Sequence, residues 1–135
     1  MIRRVLGLTI GLLFACSVSA EIIHFECATV YVQKGTEITQ KMNINMTEKV
    51  WETETHTFSD IVISQSAVRA SDRWRDGSFG GETVNMNTSM FLSREDLSFV
   101  RETEMSMADP PYVSVDLDYR GTCKVVKAPK VERAF

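Results

Sequence analysis

Two cysteines carry the chemistry that the sequence indicates most firmly. Cys27 and Cys123 lie near the two ends of the chain, and neither belongs to a Cys-x-x-Cys motif that would lower a thiol pKa. In an oxidising compartment such a pair forms a structural disulfide, which closes a loop of nearly the whole domain. Loop-entropy arithmetic gives such a closure about 4–5 kcal/mol. We therefore predict a disulfide between the first and last strands, with a redox or metal-binding pair as the alternative.

An arginine-rich segment at 68–81 is the candidate ligand-binding site. Alternation along a strand places three of its guanidinium groups in a row on one face, where they bind a carboxylate or phosphate or pair with exposed acids such as Glu82. The opposite face carries an aromatic ring and a carboxylate. The candidate residues are Arg69, Asp72, Arg73, Trp74 and Arg75.

The acidic member of this segment needs a partner. Alternation points Asp72 inward, and a buried carboxylate is costly unless it is paired or hydrogen-bonded. Three outcomes are open: a nearby arginine pairs with it, a bulge turns it outward, or it lines a wet cavity. Asp76-Gly77 is the predicted hairpin tip, which places Trp74 opposite Phe79.

Six methionines follow residue 20, and clustered thioethers bind Cu(I). Met105 and Met107 are the weak candidates for such a site. However, Met42 and Met46 share a strand face with Ile44, which is the pattern of core filling. Core packing is the preferred interpretation, and copper handling is the alternative.

The sequence contains no recognisable catalytic constellation. A Gly-x-Ser-x-Gly elbow is absent, and Gly80-Gly81 lacks the following lysine of a phosphate-binding loop. His24 and His56 are remote from each other and have no second ligand at a metal-binding spacing. We expect a protein that is not an enzyme and that holds no cofactor.

Residues 1–20 have the layout of a secretory signal peptide: a basic start, a short apolar run and a small-residue exit that ends at Ala20. The apolar run is too short to span a bilayer. Leu13-Phe14-Ala15-Cys16 also resembles a lipoprotein signal, which makes lipidation at Cys16 the alternative to cleavage after Ala20. We expect a periplasmic or secreted protein, attached to a membrane only if Cys16 is lipidated.

The remaining chain is one domain, at 21–128, with a basic tail at 129–135. Without Arg3 and Arg4, the 15 Lys and Arg residues fall to 13 against 18 Asp and Glu, a formal net charge of −5. An acidic chain is a poor candidate for binding nucleic acid, which needs cations to replace phosphate counterions. It suits a cationic protein partner, or simply solubility.

Period-two alternation dominates the domain and predicts half-buried strands. Turn residues separate eight predicted strands, at 22–33, 37–47, 49–54, 57–64, 66–75, 78–91, 97–106 and 112–126. Arg120-Gly121 is predicted to form a bend or bulge. The predicted fold is all-β, an antiparallel meander of about seven to eight strands that forms a small barrel (or a sandwich) stapled by one disulfide.

This fold leaves three functions open. The first is a non-catalytic exported barrel that binds a small ligand or supports a cell-envelope component. The second is an interaction module, such as an inhibitor of a cationic enzyme like lysozyme. The third is periplasmic Cu(I) handling through methionine side chains.

Overall fold

The chain forms one sheet of consecutive antiparallel strands. The computed structural model describes residues 21–79, 82–110 and 112–128. No helix in this described part of the chain is long and apolar enough to cross a membrane. The strands are β1 (Ile22–Tyr31), β2 (Thr36–Asn45), β3 (Val50–Thr53), β4 (Thr57–Phe58), β5 (Val62–Ile63), β6 (Ala67–Phe79), β7 (Glu82–Ser93), β8 (Ser98–Met107) and β9 (Ser114–Val126).

The first strand lies in the middle of the sheet. β1 pairs with both β2 and β9, so the spatial order is β4-β3-β2-β1-β9-β8-β7-β6-β5. The two edge strands, β4 and β5, are joined by residues 59–61, a segment that spans at most about 14 Å. The edges therefore lie close together, and the sheet curls into a half-barrel. The predicted all-β class is confirmed, in its barrel-like form.

Alternation places one face of each strand inside the curl. In β2, for example, Met42 and Ile44 are buried, whereas Lys41 is exposed. Seven predicted strands each correspond to one observed strand. The predicted strand at 57–64 divides into β4 and β5, because Asp60 has a φ of 53°, which interrupts the extended backbone.

An apolar core fills one end of the curl. Its largest fully buried side chains belong to Trp51, Phe58, Phe99, Ile44 and Leu92. The Trp51 indole N–H donates to the Met42 sulfur at 3.2 Å, and the Cys27 sulfur lies 3.8 Å from the same atom. Met42 is thus a core residue, as predicted, and it adapts its flexible thioether to two neighbours.

The junction between β1 and β9 is covalent as well as hydrogen-bonded. Cys27 lies directly opposite Cys123 in the register, and the two form the predicted disulfide. The predicted bend or bulge at Arg120-Gly121 is wrong, because β9 pairs in unbroken register through Gly121 with both β1 and β8.

Gly121 is required for a different reason. A Cβ at this position would lie 2.8 Å from the Ala28 carbonyl carbon and from the Thr29 Cα, and closer still to the Ala28 carbonyl oxygen. These are backbone atoms that cannot rotate away. A glycine therefore permits β9 to approach β1 closely beside the disulfide.

The hairpin between β6 and β7 differs from the prediction. Trp74 lies opposite Met86, and β6 continues to Phe79, so Asp76-Gly77 is not the tip and Trp74 does not face Phe79. The register shifts between Asp76 and Phe79, which accommodates the Asp-Gly pair within the strand. Gly80-Gly81 lies outside the described residues.

The signal peptide at 1–20, with Cys16, and the basic tail at 129–135 also lie outside the described residues. Their assignments stay predictions.

Candidate functional site

A pocket of about 540 Å³ lies on the inner face of the curled sheet. This volume is in the range of small-molecule sites. Its walls come from β2, β3, β6, β7, β8 and β9 and from the turn after β3, so residues far apart in sequence meet there. The apolar part of the wall includes Ile38, Trp74, Met86 and Leu117.

A layer of buried threonines lies between the pocket and the core. Thr29, Thr88 and Thr103 are each at most 4% exposed. The Thr88 and Thr103 hydroxyl oxygens are 2.9 Å apart, and the Thr29 hydroxyl donates to the Ile38 carbonyl at 2.8 Å. The Gln40 amide, part of the pocket wall, donates to the Thr29 hydroxyl at 3.1 Å. Buried hydroxyls are tolerated here because they bond to one another and to the backbone.

Arg101 brings a positive charge into this interior. Its position on β8 follows the core residue Phe99 and precedes the buried Thr103, on the same inward face. The Arg101 Nε atom is buried and has no hydrogen-bond partner among the described residues. Burial lowers the pKa of Arg101, and the nearby Tyr119 opposes this with a smaller effect. The guanidinium nevertheless stays protonated at neutral pH.

A histidine cluster, defined by His56, Asp72, Trp74 and Phe58, connects the two sides of the half-barrel. His56 follows β3 and its Nε2 lies 2.7 Å from the Asp72 carboxylate on β6. The imidazole stacks on Trp74 with centroids 3.7 Å apart and planes at 7°. Phe58 meets the imidazole edge-on at 4.8 Å. The cluster holds the β3–β4 turn against β6, to which it has no backbone pairing in the sheet.

The predicted need of Asp72 for a partner is met by this histidine rather than by an arginine. The hydrogen bond from His56 holds the pKa of Asp72 below its ordinary value, burial opposes this, and the Arg73 backbone N–H adds to it. The Asp72 side chain is 44% exposed, so the residue neither turns outward nor lies in a closed cavity.

The predicted ligand-binding segment is divided between two faces. Trp74 lines the interior pocket, whereas Arg69, Arg73 and Arg75 are exposed on the outer face. The Arg69 guanidinium lies over the Phe91 ring, 5.2 Å from its centroid, beside a separate outer cleft of about 340 Å³. The three arginines and Trp74 therefore do not form a single site.

Comparison with protein-family models, curated proteins and solved structures finds no match to this chain. The chemistry of the pocket follows from its side chains alone. Among the described residues, the ring nitrogens of His56 have one side-chain partner, Asp72, while its ring stacks on Trp74 and makes an edge contact with Phe58. This imidazole is placed to hold two elements together. The pocket itself combines largely apolar walls with one partly buried cation, Arg101, and two acidic side chains, Glu54 and Asp76, a combination that suits binding.

The methionine candidates lie on β8, and neither belongs to the wall of the pocket. Met105 is opposite Met86 in the β7–β8 register, and Met107 is opposite Val84. Met86 is buried and Met105 is half-buried. No group of three His, Cys, Asp or Glu side chains that could hold a metal ion occurs in the described ranges. Cu(I) binding through Met105 and Met107 stays a prediction.

Arg101 is the interior residue that the sequence reasoning missed. The signal was present, since Phe99, Arg101, Thr103 and Met105 occupy alternate positions of one strand. The row of three arginines on β6 is the more conspicuous pattern in the sequence, whereas Arg101 is a single arginine on a strand face that carries no other charge. A lone cation on such a face is the more informative pattern, because it must be desolvated.

Proposed function

We propose that this protein is a non-catalytic binding protein that holds a small molecule inside its curled sheet. The observation that carries the proposal is the interior pocket, with its largely apolar wall surface and the partly buried cation of Arg101. Binding sites for small molecules are concave, mostly apolar and supplied with a few polar groups that fix orientation. The pocket has this composition, and the threonine layer and core below it supply a rigid support.

The proposed compartment is the periplasm or the exterior of the cell. The Cys27–Cys123 disulfide is consistent with an oxidising environment. Residues 1–20 supply the export signal in this proposal, with lipid attachment at Cys16 as the alternative. Mass spectrometry of the protein from its native host tests the choice, because cleavage after Ala20 and a lipidated Cys16 give different N-terminal masses.

Dye binding tests the pocket. N-phenyl-1-naphthylamine is neutral and fluoresces in apolar surroundings, so we expect its emission to rise with the wild-type protein. Leu117→Trp fills the pocket and should weaken binding about tenfold or more, which corresponds to about 1.4 kcal/mol. The matched control is Val125→Trp, which adds the same ring to β9 at a position that is 60% exposed and outside this pocket.

The dye experiment has outcomes that support the pocket and outcomes that contradict it. Binding to the wild type that is lost in Leu117→Trp and kept in Val125→Trp supports the pocket. An equal response from all three proteins places the dye elsewhere and contradicts the proposal, as does the absence of any response.

A second candidate function, binding of a cationic protein, is favoured by one observation on the outer face. Two pairs of acidic residues lie directly opposite each other on β8 and β9: Glu102 with Asp118, and Glu104 with Asp116. Like charges placed opposite each other destabilise a sheet. A basic partner would relieve this repulsion.

Retention on immobilised lysozyme at low and moderate salt tests this second function. We expect salt-sensitive retention that Glu104→Gln with Asp116→Asn reduces. Glu48→Gln with Glu95→Gln is the control, because it removes the same charge from exposed positions elsewhere. No retention at low salt, or equal loss with both pairs, contradicts the idea.

A further inference from the structure

Arg101 is the starting point for the chemical class of the ligand. Its cross-strand neighbours are Met90 on β7 and Tyr119 on β9, neither of which is a carboxylate. No ion pair joins Arg101 to a carboxylate in the part of the chain that the structure describes. By contrast, Arg94 is exposed and donates to the Ser64 carbonyl at 2.8 Å. A desolvated guanidinium without an anion is costly, and that cost falls when an anion binds beside it.

The other polar groups at the base of the pocket are already paired. Gln40 donates its amide hydrogen to Thr29. The hydroxyls of Thr103 and Thr88 bond to each other. Arg101 Nε is the buried side-chain nitrogen or oxygen without a partner among the described residues. A ligand in the pocket therefore meets the Arg101 guanidinium as its cationic group beside largely apolar walls, which is the recognition pattern for a molecule with a single anionic end.

The rim limits how much charge the ligand carries. Glu54 and Asp76 also line the pocket, so one guanidinium faces the ligand together with two acidic side chains. This arrangement favours one negative charge over two, because the first charge pairs with Arg101 whereas a second would face the acids with no further cation to offset them. The apolar walls formed by Trp74, Met86 and Leu117 favour a hydrocarbon or aromatic body.

We infer that the ligand is an amphipathic monocarboxylate, whose carboxylate pairs with Arg101 and whose apolar body lies against Trp74 and Leu117. This inference rests on the proposed function, since it assigns a ligand class to the same pocket. A guanidinium binds a carboxylate through two parallel hydrogen bonds, which is why Arg101, as a residue of the pocket wall, is assigned to the carboxylate.

Titration calorimetry with decanoate and with 1-decanol tests the inference, because the two probes share a chain and differ in charge. We expect the wild-type protein to bind decanoate about tenfold or more tightly than decanol. Arg101→Met should remove this preference and leave decanol binding in place. Arg75→Met is the control: it removes an exposed arginine from the outer face and should leave the preference unchanged.

The result that overturns the inference is equal binding of both probes to the wild-type protein, a comparison that needs no variant. Loss of the preference in Arg75→Met as much as in Arg101→Met also overturns it. Either of these results leaves the proposed function standing, because decanol still occupies the pocket. If neither probe nor the neutral dye binds, the proposed function itself fails.

Thermal unfolding of Arg101→Met shows whether this arginine contributes to folding or to ligand binding. Because Arg101 is partly buried, its Nε atom is unpartnered and no anion pairs with it among the described residues, Arg101→Met in the absence of ligand should unfold at an equal or higher temperature than the wild type. Decanoate should raise the unfolding temperature of the wild type but not of Arg101→Met. A variant that unfolds at a clearly lower temperature would show that Arg101 serves the fold and would contradict the assignment.

Discussion

Two junctions hold the half-barrel together, and they are built in opposite ways. At the β1–β9 junction, backbone pairing runs from His24 to Tyr31 and a disulfide joins the two strands. At the other junction, β4 and β5 are the two ends of the sheet and share no ladder. There, the hydrogen bond between His56 and Asp72 and the stacking on Trp74 connect the two sides.

The junction held by His56, Asp72 and Trp74 is called the side-chain junction below. We expect the pocket wall to open more readily there than at the β1–β9 junction, because fewer interactions must break. Thr53, Thr55 and Trp74 line the pocket from the two sides of the side-chain junction, whereas the disulfide of the β1–β9 junction lies within the core. Parting the side-chain junction breaks the hydrogen bond between His56 and Asp72, the stack of His56 on Trp74 and the edge contact between Phe58 and Trp74. Parting β1 from β9 breaks a whole ladder and is blocked by a covalent bond. The four variants below test this comparison.

The largest effect is expected from removal of the disulfide. Cys27→Ala with Cys123→Ala releases a constraint across 96 positions of the chain and should lower the free energy of unfolding by about 4 kcal/mol. Urea unfolding of the oxidised wild type, the reduced wild type and the double variant measures it. The reduced wild type should behave as the double variant does. A loss below about 1 kcal/mol in both would mean that the ladder alone holds this junction.

A somewhat smaller loss is expected from Gly121→Ala. The added Cβ meets the β1 backbone, so the strands must separate beside the disulfide, and stability should fall by about 3 kcal/mol. Gly77→Ala is the matched control, because a Cβ there has nothing within 4 Å. The control should stay within about 0.5 kcal/mol of the wild type in the same urea experiment. Equal effects at the two glycines would refute the close approach.

The side-chain junction should be weaker. His56→Ala removes a hydrogen bond and a ring stack at a partly exposed site, and we expect a loss of about 1–2 kcal/mol. His24→Ala, which changes the other histidine in the continuous part of the sheet, is the control. Hydrogen exchange adds a local readout: His56→Ala should speed exchange in β3 and β4 and leave β1 and β9 unchanged. Uniform acceleration across the sheet would contradict a separate junction.

The smallest effect concerns pH. The pKa of Asp72 is lowered by His56 from an ordinary value of 3.8, so its charged form stabilises the folded state above that value. This contribution is lost as the pH falls through the lowered pKa. Asp72→Asn should therefore be less stable than the wild type at pH 6, and the gap should close as the pH falls below about 4. Screening at a 44% exposed carboxylate limits the gap to about 0.5 kcal/mol.

Urea unfolding at several pH values measures this gap, with Asp109→Asn as the control for losing one exposed charge. A gap between wild type and Asp72→Asn that stays constant from pH 6 to pH 3 would show that the carboxylate acts through shape and not through charge.

Local patterns were enough to predict most of the fold. Alternation located the strands, and the cysteine pair located the β1–β9 junction, because both signals are read directly from residue types. The division of 57–64 was missed, since it depends on the positive φ of Asp60, a residue that the alternation pattern does not distinguish. The role of Gly121 was also missed, because it arises from the approach of a strand far away in sequence.

The candidate site was predicted less well, for a related reason. The inward direction of Trp74 and the need of Asp72 for a partner follow from β6 alone. The identity of that partner does not, because His56 reaches it across the gap between the two sheet edges. The pocket collects side chains from six strands, so the importance of Arg101 appears only when those strands are in place.

The spatial order of the strands differs from their chain order by a single cyclic shift. His24 pairs with Val126, so the start of β1 and the end of β9 are neighbours, while residues 59–61 connect the two edges. In a circular permutant that links Val126 to Ile22 and opens at 59–61, the order of the strands along the chain would therefore match their order in the sheet. Each strand would then pair with the strand synthesised just before it, and no pairing such as that of β1 with β9 would require the first strand to remain unpaired until the last is made.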